Sequence, residues 1–285
     1  MVTRIAMPAR TGRFVLSRRQ FGTLVDLKHL LLHGYVLLYL LFVIAPLVVV
    51  VGVSFEKQPL LRFPPQQLSL RWYREVLSND AFVSAARNSL EIAVIATVGA
   101  LVLGAPAAYG ITRYRFPGRD AVGLLLLSPL IVPQLAVGIA LLQSFAYLGI
   151  AGSILTLALG HILITLPYVV RTIAASVAGL DPSLEEAAAN LGAGRLQVYL
   201  RVVFPLVRSS LYAAAMFAFL ISFDNAVISL FLVSARTTTL PIAIYAYVEN
   251  SLDPAIAALA SLLMLVSLVV LAVAQRLGNL ERVDT

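Results

Sequence analysis

An all-α, polytopic membrane protein with six transmembrane helices is what this sequence predicts, on three observations. Of its 285 residues, 60% are hydrophobic and only 12% charged, about half the charged share of a soluble domain. The apolar residues gather in six runs, each close to the ~20 residues a helix needs to cross a bilayer. Between the fourth and fifth runs lies one long stretch, Asp181 to Pro205 (DPSLEEAAANLGAGRLQVYLRVVFP), that is too polar to sit in hydrocarbon.

The net charge of +7 comes from basic residues beside the apolar runs. That placement suits anionic lipid headgroups better than nucleic acid. The absence of cysteine removes disulfides, iron–sulfur clusters and thiol catalysis. His29, His33 and His161 are scattered and make no metal site.

Residues 1–33 are polar and basic, too long and too charged before their apolar run for a signal peptide, and read as a cytosolic tail. The first span runs from Gly34 to Ser54, with Pro46 expected to kink it. In the mixed stretch that follows, Leu70, Trp72, Tyr73, Val76 and Leu77 form an apolar stripe at helical spacing. An interfacial helix is expected there, because Trp and Tyr favour that depth. The second span, Ala86 to Ile111, opens with Arg87 and Glu91, which are spaced to pair on one helix face. A basic turn (TRYRFPGRD) leads to the third span, Ala121 to Phe145. There Pro129 and Pro133 predict a broken helix, tolerated in a membrane where protein or a cavity surrounds it. The fourth span is Ile154 to Ala174, with His161 read as a packing residue. The fifth is Leu211 to Val233, and Asp224 and Asn225 lie inside it. Leu240 to Val248 re-enters the membrane or lies on its surface. The sixth span is Ala255 to Ala274, and 278–285 form a second tail.

Charge sets the orientation. The two tails, the 113–119 turn and the central segment with its flanks hold 15 of the 21 Lys and Arg residues. The positive-inside rule therefore predicts that both termini and the 181–205 loop lie in the cytosol.

The central segment reads as a short helix. Asp181 caps it and Pro182 starts it, and Glu185 and Glu186 favour the positive end of its dipole. Ala187, Ala188 and Ala189 keep it slim, and Gly192 and Gly194 turn the backbone. Leu184, Leu191 and Val198 recur every seven residues and are expected on one face. Pro205 is expected to push Phe204 out of helical geometry. Such a helix fits a groove on a soluble partner. The chain has no G-x-x-x-x-G-K-[ST] phosphate loop, so it does not bind ATP in that manner, and any energy must come from another subunit.

The segment resembles the EAA loop of ABC importer permeases: E-A-A, three residues, G, nine residues, then an aliphatic residue two before Leu-Pro. Glu186, Ala187, Ala188, Gly192, Val202 and Pro205 match in register, with Phe204 where leucine is usual. The resemblance covers about Leu37 to Leu277 and is nearest to the second permease of spermidine/putrescine importers. Ser128 to Pro133, Leu166 to Arg171, Ser222 to Asn225 and Thr239 to Ile242 carry it. It implies the type I permease fold over 34–277, with 181–205 as the coupling loop. Glu185, Glu186, Ala187, Ala188, Gly192, Ala193 and Pro205 would then meet a separate ATPase. The implied partners are a second permease, two copies of an ATPase that bind ATP and Mg2+, and a periplasmic binding protein. This chain itself would hold no cofactor or metal and would not be an enzyme. The implied cargo is a polyamine, or another small solute such as an opine or amino-acid derivative. Gln134 stands where related chains often have an acid, and Asn225 replaces their usual second acid. Asp224, Asn225 and Gln134 are the candidate residues of the translocation path. The rival reading, an ion-coupled secondary transporter, would have only Asp224 and Glu91 to couple ions.

Overall fold

The computed structural model describes residues 18–280, with side chains for His29 and for Leu31 to Arg276. Residues 1–17 and 281–285 of the two expected tails lie outside the described residues. Among those described, secondary structure is helical apart from one antiparallel bridge between Glu56 and Leu68.

The chain divides between Val49 and Val50 into two units. The first carries most of α1 (Arg18–Val53). Its helix begins well before the expected Gly34 boundary, and its side chains from Leu31 to Val49 are exposed all round, as suits lipid.

The second unit is built on α3 (Asp80–Arg113), capped by the Asn79 side chain, which accepts from the Ala81 N–H. α3 packs against α6 (Ile154–Ala178) and α10 (Arg208–Phe223). The contact face of α3 is small: Ala93, Ala96, Ala100 and Ala108 are fully buried. Small residues let helix backbones approach closely, and dispersion then holds them where lipid offers no hydrophobic drive.

Between α3 and α6 the expected broken helix is present. α4 (Arg119–Leu127) continues through a 3₁₀ turn at Ser128–Leu130. After Pro133 the chain turns by 100° into α5 (Gln134–Tyr147). Pro133 sits at φ −54°, ψ 128°, an extended geometry that ends any helix before it.

The fifth span departs from expectation. The apolar run from 211 to 233 is not one helix. α10 stops at Phe223, and α11 (Ala226–Leu232) starts afresh beyond Asp224 and Asn225. The Asn225 side chain accepts from the Ile228 N–H at 2.8 Å, so it caps a new helix instead of continuing the old one. α12 (Leu240–Asn250) and α13 (Pro254–Leu280) complete the unit.

Among the described residues four helices are long and apolar enough to cross a membrane, or up to six if each bent pair counts as one span. The chain is thus an all-α polytopic membrane protein.

Two further expectations are corrected. α2 (Arg71–Ser78) turns its tryptophan inward: Trp72 is 2% exposed, and its indole N–H donates to the Glu56 carbonyl at 2.6 Å. A buried indole satisfied by protein has no need of the bilayer interface. Arg87 and Glu91 are both exposed on α3, and no ion pair joins them among the described residues. An exposed pair gains little over hydration of each charge.

Candidate functional site

The central segment is a short helix with two faces. The Asp181 side chain accepts from the Ser183 N–H at 2.9 Å. That bond holds the Asp181 carboxyl below the usual carboxylate range. Pro182 opens α7 (Pro182–Asn190). At the far end the Gly192 N–H donates to the Ala189 carbonyl and the Ala193 N–H to the Ala188 carbonyl. Gly192 itself sits at φ +87°, the left-handed stop that glycine takes without a Cβ penalty.

The inward face carries Glu185. Its Oε1 lies 2.7 Å from Arg113 Nε, and the two side chains are each only 15% exposed. Its Oε2 accepts from the Tyr109 hydroxyl at 2.7 Å. Arg113 Nη2 also donates to the Leu180 carbonyl at 2.9 Å. Ala188 and Ala193 pack on a core cluster that includes Tyr109, Val170, Ile173 and Val203. The outward face carries Glu186, Ala187 and Gly192, all exposed, with Leu184 beside them and Leu191 standing 90% exposed at the tip.

Leu184 and Leu191 therefore share the exposed side, but Val198 does not: it is buried. The Gly192 turn ends the seven-residue register before it reaches α8 (Arg195–Val198). Phe204 is also helical, at φ −57°, ψ −46°, against expectation. A wide turn at Tyr199–Val203 bonds i to i+5, which gives room for the Pro205 ring that a tight α-turn would lack. Pro205 sits in α9 (Phe204–Leu206), and the chain then bends by 77° into α10.

The second cluster forms where two broken helices meet. Gln134 begins α5 and Asn225 begins α11, and Asn225 Nδ2 donates to Gln134 Oε1 at 3.3 Å. α11 lies against α6 closely enough that a Cβ on Gly160 would come 2.5 Å from Leu232 Cδ1. His161, fully buried on α6, reaches both sides of the break. Its Nδ1 is 2.8 Å from Ser222 Oγ on α10, and its Nε2 is 3.1 Å from Ser229 Oγ on α11. Asp224 is exposed and makes no ion pair among the described residues.

The structure thus brings Gln134 and Asn225 into contact with Asp224 next to them. It pairs and largely buries Glu185 and leaves Glu186 exposed, although both line one groove with Tyr109 and Arg113. Sequence reasoning missed Arg113 and Tyr109 as partners of the loop, and Ser222 and Ser229 as partners of His161. The basic turn after α3 was a signal of charge but not of contact. No local spacing links groups 76 residues apart. Among the described residues no group of His, Cys, Asp and Glu could hold a metal ion.

Comparison with known proteins adds to this geometry. Residues 100–280 match the model of the family described as "Binding-protein-dependent transport system inner membrane component". The spermidine/putrescine transport system permease protein PotC of Escherichia coli (strain K12) is 31% identical over 88% of this chain and 94% of the relative. The putrescine transport system permease protein PotI of the same strain is 34% identical over 82% and 84%. In fold, the chain matches a crystal structure of a bacterial ABC transporter involved in the import of the acidic polysaccharide alginate. The TM-score is 0.68 at 18% identity, over 92% of this chain and 98% of that one. ATP hydrolysis in this transporter class is carried by a separate subunit. The chain belongs to the binding-protein-dependent transport system inner membrane components, as a permease subunit of an ABC import system.

Proposed function

We propose that this chain is the second permease of a polyamine importer of the spermidine/putrescine type. It pairs with a distinct permease of similar fold. Two copies of a cytosolic subunit that binds ATP and Mg2+ drive it, and a periplasmic binding protein delivers its solute. Both termini and the 181–205 loop lie in the cytosol, as the asymmetry of Lys and Arg favours. ATP closes the ATPase pair, the docked loop moves, and the permeases open outward; hydrolysis resets them.

The observation that carries the reading is the outer side of α7, where Glu186, Ala187, Leu191 and Gly192 are exposed. The apolar tip of Leu191 has no cover of its own, and a slim, alanine-rich ridge fits a cleft. Glu186 is the acid that the EAA pattern places against the ATPase. The polyamine assignment is supported by the named solutes of the relatives. It is also supported by Asp224, an exposed carboxylate beside the Gln134–Asn225 amides, which suits an oligoamine cation. An opine or amino-acid derivative is the alternative cargo.

The test is uptake by the assembled importer in proteoliposomes, with a ligand screen on its binding protein. Spermidine or putrescine should bind and be transported. Asp224→Asn should raise the KM for uptake about tenfold, the scale of one charged hydrogen bond. A binding protein that ignores polyamines would overturn the cargo assignment.

A further inference from the structure

The chain ties α7 to α6 directly, through Gly179 to Asp181, and to α10 through α8 and α9. α3 has no such tie. Its end is brought to α7 by folding alone, and the contact is more than apolar packing. Arg113 reaches Glu185 at 2.7 Å, Tyr109 donates to the same carboxylate at 2.7 Å, and Arg113 also holds the Leu180 carbonyl at 2.9 Å, just before the helix starts. The carboxylate thus accepts from the phenol and lies in close ion-pair contact with the guanidinium, although Arg113 Nε and Glu185 Oε1 are not aligned as a hydrogen bond. Apolar surfaces slide past each other at small cost, but a desolvated charge pair resists separation because each partner would be left uncompensated. Neighbouring residues on a helix point about 100° apart, which is how Glu185 faces inward while Glu186 faces out.

We propose that Glu185, Arg113 and Tyr109 are positioning residues forming a latch that carries displacement of α7 to α3. Glu185 then belongs to the internal transmission and not to the surface that meets the ATPase. This rests on the reading that the exposed face of α7 docks the ATP-hydrolysing subunit. The latch gives that docking a third output besides the two spans joined to α7 by the chain. Its strength lies in geometry: a two-point hold on one carboxylate fixes both the rotation of α7 and its distance from α3.

The experiment reads solute moved per ATP hydrolysed by the complete importer in proteoliposomes. Glu185→Gln keeps the side chain's shape and removes its charge; the ratio should fall about tenfold, within the range of typical coupling energies. The ATP-hydrolysing subunit should still co-purify. Glu185→Arg and Arg113→Glu should each lower the ratio further, and the double variant, with the pair reversed, should recover most of it. A merely structural role would lower protein yield in the single variants and leave the ratio of the folded importer unchanged. An unchanged ratio in Glu185→Gln, or a double variant no better than its singles, would overturn the latch. Loss of the ATP-hydrolysing subunit from the Glu185→Gln complex would also overturn it, by placing Glu185 in the docking surface. Leu191→Glu serves as the control, since it should release that subunit. If the subunit stays bound, the docking reading fails and takes the latch with it.

Discussion

Asp181 and Asn225 each cap a helix that restarts after an interruption, and the two caps differ by one chemical group. Asp181 caps α7 where water reaches it, and Asn225 caps α11 where it is half-buried. The same contrast runs through their surroundings. The loop end is held by an ion pair and a phenol, Glu185 with Arg113 and Tyr109. The break in the fifth span is held by neutral groups: His161 with Ser222 and Ser229, and Asn225 with Gln134. A carboxylate that caps a helix is cheap near water and expensive in hydrocarbon. An amide gives the same bond to the helix N–H without that cost. Asp224 is the exception, an exposed acid among the neutral groups that makes no ion pair among the described residues.

The largest expected effect comes from the loop end. Nothing lies within 4 Å of a Cβ built on Gly192, so Gly192→Val meets no clash, but at φ +87° a branched side chain is strained. The turn must change, and the exposed ridge with it. Uptake driven by ATP should drop on the order of 100-fold while membrane insertion is kept, at the upper end of measured coupling between sites. Normal uptake in this variant would remove the distinction between a docking end and a path end. The break in the fifth span should answer differently. His161→Phe leaves two buried serine hydroxyls without their partner, so the folded protein should lose about 1–3 kcal/mol. A lower unfolding midpoint in detergent reads that loss. If the midpoint holds but solute coupling collapses, the two regions are less different than their chemistry suggests.

The smallest effect is a pH response at the loop 55–70. The Glu56 carboxylate accepts from the Gln66 N–H at 2.8 Å and the Gln58 N–H at 3.2 Å. These bonds hold its carboxyl below the usual value of 4.5. A depressed pKa contributes stability that is fully present above 4.5 and lost as pH falls through the lower folded value. Trp72 bonds to the Glu56 carbonyl and is the single tryptophan of the chain. Its emission should be steady from pH 7 to about 4.5 and shift only below that. A shift near neutral pH would mean the carboxylate does not hold this loop.

Much of this architecture could be read from residues alone. The apolar runs give the spans, Pro129 and Pro133 give the broken third helix, and Asp181-Pro182 gives the start of α7. What escaped was orientation and the finer breaks. Glu185 and Glu186 are chemically identical, and which one turns inward depends on Arg113, far away in sequence. The apolar pattern from 211 to 233 continues across Asp224 and Asn225, so only the capping bond from Asn225 reveals that the helix restarts. Phe204 stays helical because the preceding turn is wide, a feature no composition announces. Trp72 looked like a membrane anchor because its partner is a backbone carbonyl, which has no residue signature.

The length of α3 has a consequence of its own. At 1.5 Å per residue its 34 residues span ~51 Å, well beyond the ~30 Å of hydrocarbon. It contributes to all three buried clusters, through Phe82 and Ala85 at one end, Ile92 midway and Tyr109 at the other. Near its start, Asn88 bonds the carbonyls of Arg236 and Thr238, and Ser89 accepts from the Leu240 N–H. One long helix, with Pro106 inside it, is therefore gripped at both tips and in the middle. Its ladder of backbone bonds lacks one rung at Pro106, which has no N–H to donate, so with both tips held any bending gathers there, and the two lengths on either side tilt as separate levers.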